Sequence, residues 1–593
     1  MENNKWIHYF KIKGLIFGFL LFANILIAQT VSTEDSTIPG NYIVTIQPET
    51  QKLVRNPMSG WAIYGSAGVA SDFWTQLDKI SVPILGTTVK ASDYASILYI
   101  RTGWADLEPQ EGVYAWDNNA IVKMLIDGAK ARGLKLAFRI VEDSRDKHRN
   151  FTPTYVRDAG AQGYVTQTGS VSVWSPYPDD PIFQAKYEKF IKAFAAKFDD
   201  PDVVDFVDGY GLGKWGESHS VLYLNAANRQ SVFDWITNLY LNSFKKVPLA
   251  INYHRLIGTG SEWGSPDPDS KTLLNSAFSK GYMLRHDAFG MTSSYQSYEK
   301  GIVTQWFPTR PVIMEGGWCV NTMNYSIDPR GYKTAADVRQ GEYDDSKEAH
   351  VNVMDFRAGG EVQSWFSDGY SLVKSFIAEG SYRLYPDKLS LPKTVTNNTT
   401  IKIVHRWNNL GWGYCPNNLP QWNQKYKVAF ALLNKMEDSV VSIYVDTNSD
   451  PSKWIKGTAT NYEFSTLVKD VPVGTYTWAV AIVDVTKNNA VGLKISAINN
   501  ITSSGWLKLL DANLEVTLPS ALENASTSPQ VKVIATANGV KLSEMVKIEI
   551  LNLQGQVIAK KENADYVSLS SGAYIAKITK DQENVLVQKV IVK

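Results

Sequence analysis

The sequence predicts an α/β protein built on a (β/α)8 TIM barrel, followed by a β-sandwich and a small all-β C-terminal module. Short apolar runs alternate with helical patterns from about residue 56 to residue 368, and eight such runs predict the barrel. No Gly-rich phosphate loop follows the first run, which disfavours the rival fold, a doubly wound open sheet. After about residue 390 alternating strand patterns replace the helical ones, and these predict the sandwich.

The predicted barrel strands share short apolar stretches followed by polar loops. They are "SGWAIYG" at 59, "ILYIRTGW" at 97, "KLAFRIVED" at 135, "VVDFVDGYG" at 203, "PLAINYH" at 248, "YMLRHDAFG" at 282, "RPVIMEGG" at 310 and "GGEVQSWFSD" at 359. Helix signatures lie between several of them, such as "DNNAIVKMLIDGAKARG", which has an N-cap residue, apolar residues three and four apart and a closing Gly.

The N-terminus has the pattern of a secretory signal. Three lysines precede an apolar run over 14–28, which is too short for a comfortable transmembrane helix. We expect cleavage near residue 28, with an uncleaved anchor as the alternative. No later stretch is apolar enough to span a bilayer, so an exported protein without a transmembrane span is predicted. The predicted domains are the signal peptide 1–28, barrel 40–390, sandwich 391–518, linker 519–530 and C-terminal module 531–593.

Composition excludes some functions and leaves others open. With 60 basic and 59 acidic residues, the chain lacks the basic excess of a nucleic-acid-binding protein. The two cysteines, Cys319 and Cys415, are expected to be unpaired, unless the sandwich loop of Cys415 folds over the barrel mouth. The 18 Trp and 30 Tyr suit sugar binding and core packing equally.

Two glutamates stand where a barrel places its chemistry, at the C-terminal ends of strands. Glu217, in "GKWGESHS", follows the fourth predicted strand, and Glu315 closes the seventh. Cleavage of a glycosidic bond needs two carboxyl groups flanking the bond, one protonated and one ionised. The alternatives are a structural acid at a turn for Glu217 and a structural ion pair for Glu315. Glu142 and Asp143, after the third strand, are spare acids for either role.

Further candidates share a position at a predicted strand end or in the loop that follows. These candidate substrate-binding residues are Arg101, Trp61, Trp104, Trp215, His254, His286, Asp287, Tyr295, Trp318 and Trp365. Arg101 and Tyr295 would keep Glu315 ionised, and the rings would stack on sugars or pack in the core. No close ligand spacing such as His-x-x-x-His occurs among them, so neither a metal nor a cofactor is predicted.

The two strand-end glutamates and the segment "YIRTGWADLEPQEGVYAWD" resemble retaining glycoside hydrolases of clan A. The resemblance implies that Glu217 is the acid/base, that Glu315 is the nucleophile and that Trp365 lies under the reacting sugar. One position departs from the pattern: Gly216 replaces the Asn that normally precedes the acid/base and bonds the sugar's 2-hydroxyl. "NPMSGW", "GKWGESHS" and "HRWNNLGWGYCP" also resemble an uncharacterised bacterial barrel-plus-sandwich family over roughly 50–518.

The C-terminal segments "NLQGQVI", "SGAYIAKI" and "KVIVK" resemble the sorting domain of the Bacteroidetes type IX secretion system. The resemblance implies export through the periplasm and outer membrane by that machinery, to the cell surface or the medium. An ordinary accessory sandwich is the alternative.

The sequence therefore predicts a secreted glycoside hydrolase with a retaining two-glutamate mechanism and a carbohydrate substrate. Two alternatives from other classes stay open: a non-catalytic carbohydrate-binding protein on a glycosidase-like barrel, and a structural or adhesive surface protein.

Overall fold

The computed structural model describes residues 28–32, 34–498, 500–518, 531–580 and 584–593. The predicted signal peptide, except its last residue, and the predicted linker 519–530 lie outside the described residues. Within the described ranges, no helix combines the length and the apolar character needed to cross a membrane.

Eight parallel strands form a closed barrel, which confirms the predicted fold class. In chain order they are Gly60–Gly65, Ala95–Gly103, Lys135–Val141, Val204–Asp208, Leu249–Asn252, Met283–Phe289, Val312–Gly316 and Val353–Asp355. We number them as barrel strands one to eight. The first seven coincide with the predicted apolar runs.

The predicted eighth strand is wrong. "GGEVQSWFSD" contains the helix Gly360–Ser367, and the true strand is the three-residue segment Val353–Asp355. Val362, Trp365 and Phe366 are buried at helical spacing, which explains the helix. A three-residue strand is too short to give a period-two signal.

The barrel is surrounded by helices that alternate with its strands. The longer ones are Ala120–Ala131, Pro181–Phe198, Arg229–Ser243, Ser270–Ser279, Ser297–Trp306, Ala335–Glu348, Gly360–Ser367 and Tyr370–Glu379. The shorter ones are Phe73–Leu77, Trp104–Leu107, Ala115–Asn118 and Thr154–Asp158. Side-chain caps fix several starts: Asn119 accepts a 2.8 Å hydrogen bond from the backbone N–H of Ile121. Two hairpins extend from barrel loops. One pairs Ile80–Val82 with Thr87–Val89, and the other pairs Gly163–Thr168 with Val171–Pro176.

Two sheets form the sandwich. One has the order Gln29–Val31, Asn41–Ile46, Leu384–Pro392, Thr399–Asn409, Thr460–Val468. The other has the order Thr394–Thr396, Leu507–Thr517, Gly474–Asp484, Tyr426–Asn434, Val440–Asp446, and Ala490–Leu493 also pairs with Gly474–Asp484. Strand Asn41–Ile46 pairs with Leu384–Pro392, so this N-terminal strand belongs to the sandwich although the sequence placed it in the barrel range 40–390.

The sandwich covers the N-terminal end of the barrel. Barrel-interior side chains such as Tyr99 and Phe206 share one apolar core with sandwich residues such as Trp407. The side chain of Asn56 exchanges hydrogen bonds of 3.0 and 2.8 Å with the backbone of Lys494 and so joins the two domains. The C-terminal end of the barrel is therefore the end left for a site.

The C-terminal module is a single antiparallel sheet with a core of its own. Its strands are Val533–Thr536, Gly539–Leu551, Val557–Ser568, Gly572–Lys580 and Asn584–Val592. The buried residues Val540, Ile548 and Ile578 lie in its core.

Candidate active site

A cavity of about 550 Å³ lies at the C-terminal end of the barrel, where loops from several strands meet. Its walls include both predicted glutamates, Glu217 and Glu315. Four more of the predicted residues line it: Arg101, Trp215, His254 and Asp287. Thus the structure brings together six residues that are far apart in the sequence.

The loop after barrel strand four positions Glu217. The backbone carbonyl of Glu217 accepts a 2.8 Å hydrogen bond from the side-chain amide of Asn252, at the end of strand five. The side chain is only 4 % exposed. Trp215 and Ser218 have positive φ angles of 61° and 70°, which are rare for residues with a Cβ. Such strained backbone is concentrated at functional sites.

The geometry of this loop explains why Gly216 precedes the glutamate. Its φ is 72°, and an added Cβ would lie 3.2 Å from both Arg139 and Val141 side-chain carbons. The residue before Glu217 is therefore one that lets the backbone lie directly against Arg139.

A layer of buried arginines lies beneath the glutamate pair. Arg139 donates to Asp208 at 2.8 Å, to Glu217 at 2.9 Å and to Glu315 at 3.3 Å. Arg285, from strand six, lies 3.5 Å from Asp208 and 3.8 Å from Glu217 and contacts Glu315 directly. One Arg285 nitrogen lies within 3.8 Å of a carboxylate oxygen of each glutamate. Those two oxygens are therefore separated by less than twice that distance.

Two further arginines reach the pair from the cavity side. Arg101 lies 3.6 Å from a carboxylate oxygen of each glutamate. Arg357, after strand eight, lies 3.4 Å from Glu315. Glu315 is thus surrounded by guanidinium groups, an environment that favours the ionised carboxylate.

The second carboxylate oxygen of Glu217 has different neighbours. It lies 3.8 Å from Nε2 of His219, and the Asp287 carboxylate is adjacent. Burial would raise the pKa of Asp287, but His286 and a hydrogen bond shared with Glu217 outweigh it and hold that pKa well below the ordinary value. Burial, and then the neighbouring His219, lowers the pKa of His254 to about 3, so this imidazole is neutral at physiological pH.

Glu217, His219 and Asp287 could also hold a cation. Each offers one donor atom, and these atoms lie within 4.8 Å of one another. Carboxylate and imidazole donors suit a divalent transition metal. A cation there would bind a carboxylate oxygen of Glu217, the group that is predicted to act as acid/base.

Four predicted sugar-stacking tryptophans lie in the packed interior, so their predicted place at the cavity mouth is wrong. Trp61 stacks on Phe356 with ring centroids 4.3 Å apart and meets Trp365 edge-on at 4.8 Å. Trp104 packs among helix residues and is fully buried. Trp318 donates its indole N–H to the carbonyl of Gly290 at 3.1 Å and is 4 % exposed.

Tyr295 and His286 are buried behind the cavity wall rather than on it. The ring of Tyr295 stacks on Phe289 at 4.5 Å, and His286 is 0 % exposed. The spare acids are also elsewhere: Glu142 accepts a hydrogen bond from Gly213 N–H at 3.0 Å, and Asp143 forms an ion pair with Arg145.

Both cysteines are free, with Cys319 on the cavity wall and Cys415 buried against the sandwich.

Sequence reasoning missed the buried charges and part of the cavity wall. Asp208, Arg139 and Arg285 were detectable as charged residues inside otherwise apolar strands. The missed cavity residues include His219, Trp263, Lys147, Arg149 and Arg357. They follow strands in irregular loops, where the sequence has no period that shows direction.

A comparison with protein-family models finds a match at the C-terminal module. Residues 530–593 match the family described as secretion system C-terminal sorting domain. No curated protein sequence matches the chain.

Several glycosidases are among the solved structures that match. The chain is similar to the tri-modular endo-β-1,4-glucanase B of Bacillus halodurans, at 10 % identity and TM-score 0.32, over 91 % of this chain and 97 % of that one. It is similar to endo-glycoceramidase II of Rhodococcus sp., at 12 % identity and TM-score 0.33, over 71 % of this chain and 100 % of that one. An exo-β-1,4-mannosidase of the Opitutaceae bacterium strain TAV5 matches at 11 % identity and TM-score 0.32, over 56 % of this chain and 62 % of its own length.

Proposed function

We propose that the protein is an exported glycoside hydrolase that cleaves an oligo- or polysaccharide with retention, using Glu217 as acid/base and Glu315 as nucleophile. The observation that carries the proposal is the unequal surroundings of two neighbouring carboxyl groups at the open end of the barrel. Among the described residues, each ion-pair partner of the Glu315 carboxylate is an arginine, and arginines lie at both of its oxygens. Three arginines also lie 2.9, 3.6 and 3.8 Å from one oxygen of Glu217, but its other oxygen has His219 at 3.8 Å, with Asp287 close by.

This asymmetry fits the two roles that the reaction needs. In the first step Glu217 gives a proton to the departing glycosidic oxygen while Glu315, which has arginines at both of its oxygens, attacks the anomeric carbon. In the second step Glu217 removes a proton from water, and that water releases the sugar from Glu315.

The C-terminal module supports a proposal about location. A match to a secretion sorting domain, together with the N-terminal signal pattern, favours export by the type IX machinery to the cell surface or medium.

The test is hydrolysis of aryl α- and β-glycosides and of plant and algal polysaccharides by the wild type, Glu217→Gln and Glu315→Gln. We expect each variant to lose at least a hundredfold in kcat/KM, in line with removal of a catalytic acid or nucleophile. Glu217→Gln should keep more activity on dinitrophenyl glycosides, because that leaving group needs no acid. Glu111→Gln, an exposed acid paired with Lys186, is the matched control.

Retention is tested by following the anomeric configuration of the first product by NMR. Inversion would remove Glu315 from the nucleophile role. Activity that survives either substitution would remove that residue from the mechanism, and glycan binding without hydrolysis would favour the binding protein instead. Activity that is lost on chelation and restored by a divalent metal would assign Glu217, His219 and Asp287 to a cation instead of a proton.

A further inference from the structure

The loop after barrel strand five presents an unpartnered tryptophan to the cavity. Trp263 lines the cavity and is 62 % exposed, whereas every other tryptophan in the described ranges is half-buried or buried. Among the described residues, its indole has no hydrogen bond, ring contact or cation above it. An exposed indole on the wall of a cavity offers an apolar face on which a sugar ring can stack.

The loop backbone is fixed, so the exposure of Trp263 does not follow from a loose loop. Ser220 donates its backbone N–H to the carbonyl of Ser261 at 3.0 Å. Glu262, the residue before Trp263, forms a 2.8 Å ion pair with Lys214. These contacts tie the loop to the segment that carries Glu217.

The loop is also held by contacts on the C-terminal side of Trp263. The backbone N–H of Asp267 donates to the carbonyl of Arg255 at 3.0 Å, and Asp267 forms an ion pair with Arg229 at 2.7 Å. The indole is therefore carried on a backbone held on both sides, which lowers the entropy cost of binding a ligand.

Trp215 shows what a partnered cavity tryptophan looks like in this protein. Its indole N–H donates to Asp146 at 2.7 Å, and the ammonium of Lys214 lies 4.2 Å above its ring. Trp215 thus has protein partners at both its edge and its face, whereas the edge and the face of Trp263 have none among the described residues.

The loop contacts place Trp263 on the side of Glu217 rather than of Glu315. A general acid lies beside the leaving-group oxygen, so the leaving group occupies its side of the cavity. We propose that Trp263 is a binding platform for the sugar ring of the leaving group, and that the substrate is a chain that continues beyond the cleaved bond. This inference rests on the proposed function for the direction of the chain, but its binding surface can be tested alone.

The experiment measures binding in a Glu217→Gln background, which prevents turnover. The probes are hexasaccharides of β-1,4-glucose, β-1,4-mannose, β-1,4-xylose and β-1,3-glucose, titrated by calorimetry. For those that bind, we expect Trp263→Ala to raise the Kd about tenfold or more, whereas Trp263→Tyr, which keeps a ring, stays within about threefold. Ile84→Ala removes an 80 % exposed side chain away from the cavity and should leave the Kd unchanged.

The outcomes separate this inference from the proposed function. A Kd that is indifferent to Trp263→Ala, or no binding of any hexasaccharide, overturns the platform even if aryl glycosides are hydrolysed. Trp263-dependent binding by a protein that hydrolyses nothing overturns the glycosidase and supports the platform.

Discussion

The glutamate pair rests on a nearly balanced set of buried charges. Arg139 and Arg285 face Asp208, Glu217 and Glu315, and all five side chains are almost fully buried. Removing one partner from such a cluster leaves an uncompensated charge in a poorly solvated place. The layer therefore fixes the positions of the two glutamates and also makes them depend on it.

Arg139→Met is expected to lower the free energy of unfolding by about 3–5 kcal/mol, because Asp208, Glu217 and Glu315 lose a shared counter-ion. Urea unfolding measures the loss. Adding Asp208→Asn should recover part of it, since the double variant restores the charge balance. Additive losses would show that Arg139 and Asp208 are not coupled.

Two explanations can account for a glycine, rather than an asparagine, at position 216, and substitutions at Gly216 distinguish them. If the positive φ were the only constraint, Gly216→Asn would be tolerated better than Gly216→Ala, since Asn adopts this conformation more readily. If the close approach of Arg139 and Val141 decides, both variants lose stability and Asn loses more. We expect the second result in thermal unfolding. A Gly216→Asn protein as stable and active as the wild type would contradict it.

At the scale of single elements, the alternation along barrel strands decides which side chains reach the site. In strand one, Ala62 and Tyr64 face the barrel interior, whereas Trp61 and Ile63 pack towards the helices. In strand three, Arg139 lies in the charged layer while Phe138 packs outside. A strand-end tryptophan is therefore a candidate platform only if it lies in the inward register.

This explains what the sequence could predict. Apolar runs located seven strands, and the strand-end rule located Glu217 and Glu315, because both depend on local pattern. Whether Trp61 faces the barrel interior or the helices depends on the register of its strand, which the apolar run alone does not define. The exposure of Trp263 depends on contacts between two loops, such as Lys214 with Glu262, and no local pattern encodes such contacts.

Strand four also carries a buried acid that titrates within an accessible range. Burial raises the pKa of Asp205 from 3.8 to about 6, although Lys135 and the N–H of Met58 favour its charged form. The folded state therefore binds this proton more tightly than the unfolded state. The contribution of Asp205 to stability falls as pH rises from about 4 to about 6 and stays low above that.

Asp205→Asn should flatten the pH dependence of Tm between about pH 4 and pH 6 and stabilise the protein at pH 7, by at most about 3 kcal/mol. Asn keeps an acceptor for the 2.8 Å hydrogen bond from Met58, whereas Asp205→Ala does not and should destabilise the protein. Parallel Tm–pH curves for wild type and Asp205→Asn would exclude this titration.

At the scale of the whole molecule, the barrel and the sandwich share one apolar core. The segments "NPMSGW" and "HRWNNLGWGYCP" lie at their junction rather than at the cavity. In "NPMSGW", the carbonyl of Pro57 accepts from Tyr382, and in "HRWNNLGWGYCP", Trp412 donates to the carbonyl of Val351 at 2.9 Å. Neither motif contributes a residue to the cavity, and their hydrogen bonds join the barrel to the sandwich.

The C-terminal module differs, because its core, Val540, Ile548 and Ile578 among others, contains no described residue before 531. A chain ending at residue 518 should therefore keep the Tm and the hydrolytic activity of the full chain. A chain ending at residue 383 should not fold, because the barrel interior around Tyr99 and Phe206 would lose the sandwich core that covers it. Circular dichroism and calorimetry of both chains check this pair of expectations. A cooperative transition in the shorter chain would show that the barrel folds on its own. The sandwich would then be an accessory domain, and the arginine layer and its two glutamates would not need it for support.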